Sequence, residues 1–285
     1  EERGVQVKAS GLADRAEDYR NDAGEPVDVP HGVARLTAMI DVQASWVELL
    51  VVGWGAGEES WRIAHHRIYG DPETAELWAR VEPLLVKPYV HASGAELRIA
   101  RVLVDSGHAT DAVYRFVLPR QRRGVYAVKG KGGVGEPPIS RARTVGRDGI
   151  QLFILGVHTL KDTLFSRLRR TEPGPGYMHF AVQRPDRYNG FDHEYYAQFE
   201  AEKKVRRRKP GSRETVVEYV KIRERNEAID LEVGCLAALH LLGAGERMQL
   251  GELARMISEA GPKWKEAFEA RVRRRGRRVI SRGIA

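Results

Sequence analysis

The spacing of apolar residues predicts that strands come first in this chain and that helices and strands then alternate. Residues 35–42, 46–54 and 60–69 have the alternating or continuous apolar character of strands, with glycines in the turn between the second and third. We expect these three strands to form an antiparallel meander. From residue 73 onward, stretches with helical spacing alternate with short apolar runs. The order β-β-β-α-β-α-β predicts an α/β fold, in which helices flank a mixed sheet that starts antiparallel and continues parallel.

The same pattern predicts the later elements and three regions of the chain. We expect strands at residues 97–104, 124–128, 152–155 and 215–222, and helices at 73–86, 110–117, 159–168, 193–204 and 227–242. Residues 1–30 are polar and aperiodic, and they are predicted to be a linker from an upstream domain. Residues 31–244 are predicted to form one folded domain. Residues 245–285, with a helix near 250–259, are predicted to be a basic C-terminal tail outside the core.

Composition narrows the class of protein. The 285 residues are 42% hydrophobic, enough for one sizeable core, and no apolar run approaches the roughly 18 residues that span a bilayer. The single cysteine, Cys235, excludes an internal disulfide and a zinc finger, and it fits a reducing cytoplasm. The net charge is +8, and basic runs occur near residues 120–123, 206–209 and 273–278. Clustered cations favour a nucleic-acid partner.

Three aspartates are candidates for chemistry. Asp41 and Asp105 each end an apolar strand, so neighbouring parallel strands would bring their carboxylates side by side. Asp230 lies on a predicted helix in one stripe with Asn226 and Gly234, and the glycine would let this stripe approach the sheet closely. Adjacent carboxylates need a cation or a proton between them, and Mg²⁺ or Mn²⁺ suits oxygen ligands. Taken singly, each aspartate also fits a turn, a helix cap or a favourable charge near a helix N-terminus.

Five short stretches together carry a resemblance to a known family. They are residues 36–43 (LTAMIDVQ), 51–70 (VVGWGAGEESWRIAHHRIYG), 103–108 (LVDSGH), 172–180 (EPGPGYMHF) and 225–230 (RNEAID). With the strand order and the three aspartates, they resemble the RNase H-like nuclease superfamily. The closer resemblance is to the nuclease domain of lambda-type phage terminase large subunits, and it covers roughly residues 30–243.

The resemblance implies a metal-dependent endonuclease that cuts double-stranded viral DNA during genome packaging. Asp41, Asp105 and Asp230 would be its catalytic and metal-binding residues, with Asp41 shared between two Mg²⁺ or Mn²⁺ ions. The implied partners are duplex DNA, an upstream ATPase domain, the small terminase subunit and the portal protein, in the cytoplasm of the host cell and without a membrane. Two alternatives stay open: another RNase H-like DNA nuclease, such as a resolvase or transposase core, and a non-catalytic DNA-binding or docking domain.

Several cations are candidate DNA contacts. The glycine-rich stretch at residues 129–138 (KGKGGVGEPP) lacks the Gly-Lys-Ser/Thr ending of a phosphate loop, so we expect no ATPase site in this chain and interpret Lys129 and Lys131 as backbone contacts. Lys161 begins a predicted helix that could face the cleft. Whether Asp71 or Asp162 also belongs to the acidic site is left open by the sequence. The predicted hairpin near residue 208 supplies the remaining candidate DNA contacts: Arg206, Arg207, Arg208 and Lys209.

Overall fold

The computed structural model describes residues 8–184, 189–208, 215–243 and 249–270. The strands are β1 (Ala16–Glu17), β2 (Arg35–Val42), β3 (Trp46–Trp54), β4 (Ser60–Tyr69), β5 (Tyr89–Val90), β6 (Glu96–Leu97), β7 (Ile99–Asp105), β8 (Val125–Lys131), β9 (Arg143–Val145), β10 (Ile150–Gly156), β11 (Met178–Ala181), β12 (Glu202–Arg208) and β13 (Thr215–Lys221). The α-helices are α1 (Ala9–Ala13), α2 (Ala75–Val86), α3 (Thr110–Val117), α4 (Val157–Leu168), α5 (His193–Ala197), α6 (Glu227–Leu241) and α7 (Leu250–Ala260).

The main sheet is mixed, as the sequence predicted. Its nine strands in the described residues run in the order β1-β11-β4-β3-β2-β7-β8-β10-β9. β2, β3 and β4 pair antiparallel, whereas β7 pairs parallel with β2, β8 with β7, and β10 with β8. This mixed sheet flanked by helices is consistent with an RNase H-like fold. Parallel order brings the carboxyl ends of β2, β7, β8 and β10 to one end of the sheet.

Helix α6 lies very close to the centre of the sheet, and a glycine permits this approach. A Cβ atom on Gly234 would fall 2.3 Å from the Cγ and Sδ atoms of Met39 on β2. Beside this contact, the Thr37 hydroxyl donates a hydrogen bond of 3.1 Å to the carbonyl oxygen of Cys235. The prediction of a close approach at Gly234 is therefore confirmed, and the first turn of α6 comes to lie near the ends of β2 and β7.

Residues 8–30 pack on the sheet, whereas the sequence predicted a linker. β1 pairs parallel with β11 at the sheet edge, and the apolar side chains of Leu12, Tyr19 and Val29 are buried. These few apolar residues have irregular spacing, so periodicity could not reveal that they cover the core. Residues 1–7 lie outside the described residues, and a connection to an upstream domain remains a prediction.

The region after α6 also differs from the prediction of a tail outside the core. On α7, Leu253 and Ile257 are buried, and Ser258 Oγ donates a hydrogen bond of 3.1 Å to the His31 carbonyl oxygen. Trp264 is also buried in the core. An amphipathic helix needs an apolar surface to cover, and the core offers one beside His31. Residues 271–285, which hold the basic run of the predicted tail, lie outside the described residues.

The predicted helix at residues 193–204 is shorter than expected. α5 ends at Ala197, a 3-10 turn covers Gln198–Glu200, and β12 begins at Glu202. β12 pairs antiparallel with β13 as a separate two-stranded sheet, and this pairing overrides the local helical spacing. Within the described part of the chain, none of the helices combines the length and the apolar character needed to cross a membrane.

Candidate active site

Two of the predicted aspartates lie at the ends of adjacent parallel strands. The pairing of β2 with β7 ends at Ile40 and Val104, and Asp41 and Asp105 are the next residues. Asp41 is buried, and its Oδ2 atom accepts a hydrogen bond of 2.5 Å from the side-chain amide of Gln43. Asp105 Oδ1 accepts a hydrogen bond of 3.1 Å from the backbone N–H of Gly107. The two carboxyl groups therefore share one end of the sheet.

Asp230 reaches the same region from the first turn of α6. Its Oδ2 atom accepts a hydrogen bond of 3.2 Å from the side-chain amide of Asn226. Its Oδ1 atom lies 3.5 Å from the Nζ atom of Lys161 on α4. Because α6 packs across β2 and β7, Asp230 is near enough to interact electrostatically with both Asp41 and Asp105. The three predicted acids are thus brought together.

The surroundings of the three acids disfavour their ionised forms. Burial raises the pKa of Asp41 to about 8, and the charges of Asp230 and Asp105 push it in the same direction against the hydrogen bond from Gln43. Burial likewise raises the pKa of Asp230 to about 6, opposed by Lys161 and assisted by Asp105. Burial also raises the pKa of Asp105, although backbone hydrogen bonds from Gly107 and Ser106 oppose it. The site holds more negative charge than its surroundings neutralise.

The fit of this site to a metal ion has two sides. In the described ranges, no group of three or more histidine, cysteine, aspartate or glutamate residues is arranged so as to hold a metal ion. The donor chemistry of Asp41, Asp105 and Asp230 nevertheless suits a hard divalent cation, which prefers carboxylate oxygen. Their raised pKa values mean that the ionised carboxylates are unfavourable in this site, and a bound cation would stabilise them. The residues fit such an ion by chemistry, without forming a closed ligand cage.

Comparison with known proteins decides the family. The family model described as the terminase large subunit gpA endonuclease domain matches residues 1–250. This chain belongs to that family. The terminase large subunit of Escherichia phage lambda is 32% identical over 264 residues, which is 90% of this chain and 39% of that protein. The terminase large subunit of Enterobacteria phage P21 is 32% identical over 234 residues, covering 81% of this chain and 36% of that protein.

The match covers only part of the length of the two relatives. This endonuclease domain spans less than two fifths of the length of the two terminase large subunits it resembles. No solved structure matches the chain. The family is therefore established by sequence.

A buried network behind Asp230 was not predicted from the sequence. Lys161 Nζ lies 2.6 and 2.7 Å from the two carboxylate oxygens of Glu202 at the start of β12. The Asn226 side-chain amide donates hydrogen bonds to both Glu202 Oε1, at 2.7 Å, and Asp230 Oδ2. Glu202 was hidden because periodicity placed it inside a predicted helix. Its proximity to Lys161 is a contact between distant parts of the chain, and no local signal reveals it.

The predicted DNA contacts have different surroundings. Lys129 is partly buried on β8 and acts electrostatically on Asp105, whereas Lys131 is 59% exposed and ion-paired with Glu136 at 2.6 Å. Lys161 is buried between carboxylates, so a phosphate would have to compete with Glu202, and the sequence had predicted an open cleft contact there. Three of the remaining candidates lie on β12: Arg206 is exposed, and Arg207 and Arg208 are strand residues whose side chains are not described. Lys209 is outside the described residues.

The two further acidic candidates have local partners. Asp71 Oδ1 accepts a hydrogen bond of 2.9 Å from the backbone N–H of Glu73, which is a turn contact. Asp162 Oδ1 accepts hydrogen bonds of 2.5 Å from Lys204 Nζ and from the Tyr219 hydroxyl. These hydrogen bonds link Asp162 to the β12–β13 hairpin and give it a role in holding that hairpin against α4. These local contacts account for both carboxyl groups without assigning either of them to the group of three aspartates.

Proposed function

We propose that this terminase endonuclease domain hydrolyses phosphodiester bonds of double-stranded DNA with divalent metal ions, and that it cuts viral DNA during genome packaging. The observation that carries the proposal is the concentration of three under-neutralised acids, with the pKa of Asp41 raised to about 8. Keeping such a group buried opposes folding, so a site of this kind is expected to serve chemistry. Family membership supplies the reaction class.

The residues that would hold the Mg²⁺ or Mn²⁺ ions are Asp41, Asp105 and Asp230. When bound, such ions lower the pKa of an attacking water and stabilise the charge on the leaving 3′ oxygen. The protein orients Asp41 through Gln43, Asp105 through the Gly107 N–H, and Asp230 through Asn226. Because Asp41 retains its proton at neutral pH without a cation, ion binding has to release that proton, and affinity should rise with pH.

Family membership is the only support for the proposed partners and location. We propose that the domain acts in the host-cell cytoplasm beside an ATPase domain of the same large subunit, with the small terminase subunit and the portal protein. Phosphate contacts carry no sequence information, so cutting by this domain alone should be largely independent of sequence. Site choice would then come from the partners.

Plasmid cleavage tests the proposed reaction. Supercoiled plasmid should be nicked or linearised with Mg²⁺ or Mn²⁺, and EDTA should stop the reaction. Asp41→Asn, Asp105→Asn and Asp230→Asn each remove a charged ligand at nearly constant volume, and each should lower the rate at least about 100-fold, since even outer-shell changes cost 10–100-fold. Asp71→Asn is the matched control, because Asp71 makes a turn contact that asparagine preserves.

The outcomes are distinct. Undiminished cutting in EDTA would exclude the metal mechanism. Near-normal cutting by one of the three variants would remove that residue from the site, and the absence of cutting by folded wild type would favour the DNA-binding or docking alternative. Equal cutting of linear duplex and branched DNA would favour a terminase. A preference for branched DNA would favour a resolvase-like enzyme.

A further inference from the structure

The last residue of β4, Tyr69, exposes its side chain at the end of the sheet that carries the acids. Its ring is 61% exposed, and it packs on Trp46, the first residue of β3, with 6.3 Å between the ring centroids. β2 and β4 each pair antiparallel with β3, so they run in the same direction. The carboxyl end of β4, where Tyr69 lies, is therefore beside the end of β2 that holds Asp41.

The strand register also places Tyr69 and Asp41 on the same face of the sheet. Asp41 pairs with Glu48 on β3, and Glu48 pairs with Arg67 on β4. Trp46 and Tyr69 form the pair two residues farther along the same two strands. Side chains two residues apart on a strand point to the same face, as do the side chains of paired residues. The sheet therefore does not separate Tyr69 from the acidic site.

Contacts and spacing agree with this placement. The guanidinium group of Arg225 lies 5.7 Å from the centroid of the Trp46 ring and 2.6 Å from Glu48, so these two side chains share a face. Diagonal cross-strand neighbours are about 7–8 Å apart and paired residues about 5 Å, which puts Tyr69 roughly 12 Å from Asp41. Along a DNA strand that distance is about three or four steps of 3.4 Å. One duplex can therefore contact both residues.

Hydrogen-bond donors and positive charge surround the Tyr69 hydroxyl group. Arg67 Nη1 lies 3.5 Å from the hydroxyl oxygen, and its contact with Glu194 Oε2 is longer, at 3.7 Å. Arg80 on α2 donates a hydrogen bond of 2.7 Å to the Tyr69 carbonyl oxygen. Arg80 is exposed, and within the described ranges it forms no ion pair with an acid. We call Tyr69, Arg67 and Arg80 the Tyr69 corner.

We propose that the Tyr69 corner binds a phosphate of the DNA backbone about three or four nucleotides from the bond that the acidic site cuts. This inference rests on the proposed function. The phenol hydroxyl and the guanidinium N–H groups are donors that suit phosphate oxygens, and the phosphate takes the place of the long Glu194 contact. The contact reads no sequence, and it sets the register and orientation of the duplex over the acids.

Two matched pairs of variants test the Tyr69 corner. Arg80→Gln removes its exposed charge. Arg98→Gln is the control, because Arg98 is also exposed and donates to one carbonyl oxygen, that of Val86, but it lies just before β7 begins, at the end of the sheet opposite the acids. Tyr69→Phe removes the hydroxyl group, and Tyr114→Phe removes one from α3. Binding of a labelled, non-specific duplex is measured by fluorescence anisotropy in EDTA over a range of salt concentrations.

Arg80→Gln should reduce the magnitude of the slope of log K against log salt by about 0.9, the loss of one phosphate contact, and Arg98→Gln should keep the wild-type slope. Tyr69→Phe should weaken binding about fivefold at every salt concentration, as expected for one neutral hydrogen bond, and Tyr114→Phe should not. Equal effects within either matched pair would overturn the proposal. Wild-type affinity in Tyr69→Phe with a loss in Tyr69→Leu would also overturn it, because the ring would then make the contact.

Cleavage kinetics separate this proposal from the nuclease proposal. With Mn²⁺, Tyr69→Phe should raise KM and keep kcat close to wild type, because the hydroxyl group contacts DNA away from the bond that breaks. If wild type binds duplex through the Tyr69 corner and never cuts it, the nuclease proposal fails and the binding surface stands. An absence of duplex binding by wild type at low salt would overturn the Tyr69 corner. Thermal unfolding checks the fold, and Tyr69→Phe, which keeps the ring on Trp46, leaves the test valid if Arg80→Gln unfolds.

Discussion

Asp41 and Glu48 face each other across β2 and β3, and the protein surrounds the two carboxyl groups in opposite ways. Glu48 is fully buried, and its oxygens lie 2.8 Å from His65 Nε2, 2.8 Å from Arg67 Nε and 2.6 Å from Arg225 Nη2. Burial raises the pKa of Glu48, but the hydrogen bonds and charges of His65 and Arg67 outweigh burial and hold this pKa below its usual value. Asp41 has the neutral amide of Gln43 and a pKa raised to about 8.

The difference separates an acid that supports the fold from an acid available to a ligand. Cations of the protein itself neutralise Glu48, and the same Arg225 anchors the chain just before α6. Asp41 has two acidic neighbours, Asp105 and Asp230, and its environment favours the neutral form. A buried carboxyl group without a cation from its own chain is unfavourable when ionised, and an external cation offsets this cost. The contrast predicts different responses to the same kind of substitution.

The largest destabilisation by a substitution is expected at Glu48. Glu48→Gln removes the negative charge shared by His65, Arg67 and Arg225, although the two arginines are partly exposed and keep Glu194 and Glu227 as partners. The cost in the free energy of unfolding should therefore be about 3 kcal/mol, the lower end of the range for breaking a buried ion pair. Denaturant unfolding measures it, with the exposed Glu96→Gln as control. If Glu48→Gln costs no more than Glu96→Gln, the Glu48 cluster is not structural and the comparison fails.

The next effect is a pH dependence that Asp41 should impose. Its pKa is about 8 in the folded protein and 3.8 ordinarily, so between about pH 4 and pH 8 the folded state holds a proton that the unfolded state has lost. Stability therefore falls as pH rises through this window, by up to about 1.4 kcal/mol per pH unit from this group. Asp41→Asn does not titrate, so its unfolding free energy in EDTA should depend less on pH and exceed that of wild type increasingly toward pH 8.

Unfolding curves at several pH values, all in EDTA, check this prediction. Asp162→Asn is a suitable control, because hydrogen bonds and charge from Lys204 and Tyr219 lower the pKa of Asp162 although burial raises it. That variant should not flatten the fall in stability between pH 4 and pH 8. Parallel pH profiles for wild type and Asp41→Asn would show that Asp41 is charged and compensated in the folded protein, contrary to the comparison.

The acids were predictable because their signals are local. A strand that ends in aspartate can be recognised from alternation, and the i, i+4 stripe of Asn226, Asp230 and Gly234 follows from helix geometry. Parallel pairing of β2 with β7 then brings two strand ends together without further information. The sequence thus predicts the six central strands of the main sheet, but not β1, β11 and β9, and it predicts the three acids, although the family resemblance, not periodicity, supplied the roles of those acids.

What periodicity missed depends on contacts between distant segments. The pairing of β12 with β13 decides that Glu202 begins a strand, and Lys161 is 41 positions away from it along the chain. The core also includes residues 8–30, whose apolar residues are too irregular to predict burial, and α7, whose apolar stripe predicts a helix that packs against a surface but does not identify that surface. In each case tertiary packing outweighs a weak local preference.

The smallest expected effect concerns Lys161, which stands between the two kinds of acid. It is bound closely to Glu202, at 2.6 Å, and lies 3.5 Å from Asp230 Oδ1. We predict that Glu202 holds the ammonium group away from the Asp230 oxygen that a metal ion needs. In Glu202→Gln the ammonium group should pair with Asp230 instead and compete with the ion, so Mn²⁺ affinity should fall about tenfold, the lower end of the range for residues that orient ligands.

A double-mutant cycle distinguishes this role from a simple charge effect of Glu202. Mn²⁺ binding without DNA is measured by calorimetry for wild type, Glu202→Gln, Lys161→Met and the double variant, with thermal unfolding in EDTA as the check on folding. If Glu202 acts through Lys161, Glu202→Gln should weaken binding about tenfold, or about 1.4 kcal/mol, when Lys161 is present and hardly at all in the Lys161→Met background. Equal losses in both backgrounds would mean that Glu202 attracts the ion by its own charge, and Lys161 would then belong with the neutralised, structural charges around Glu48.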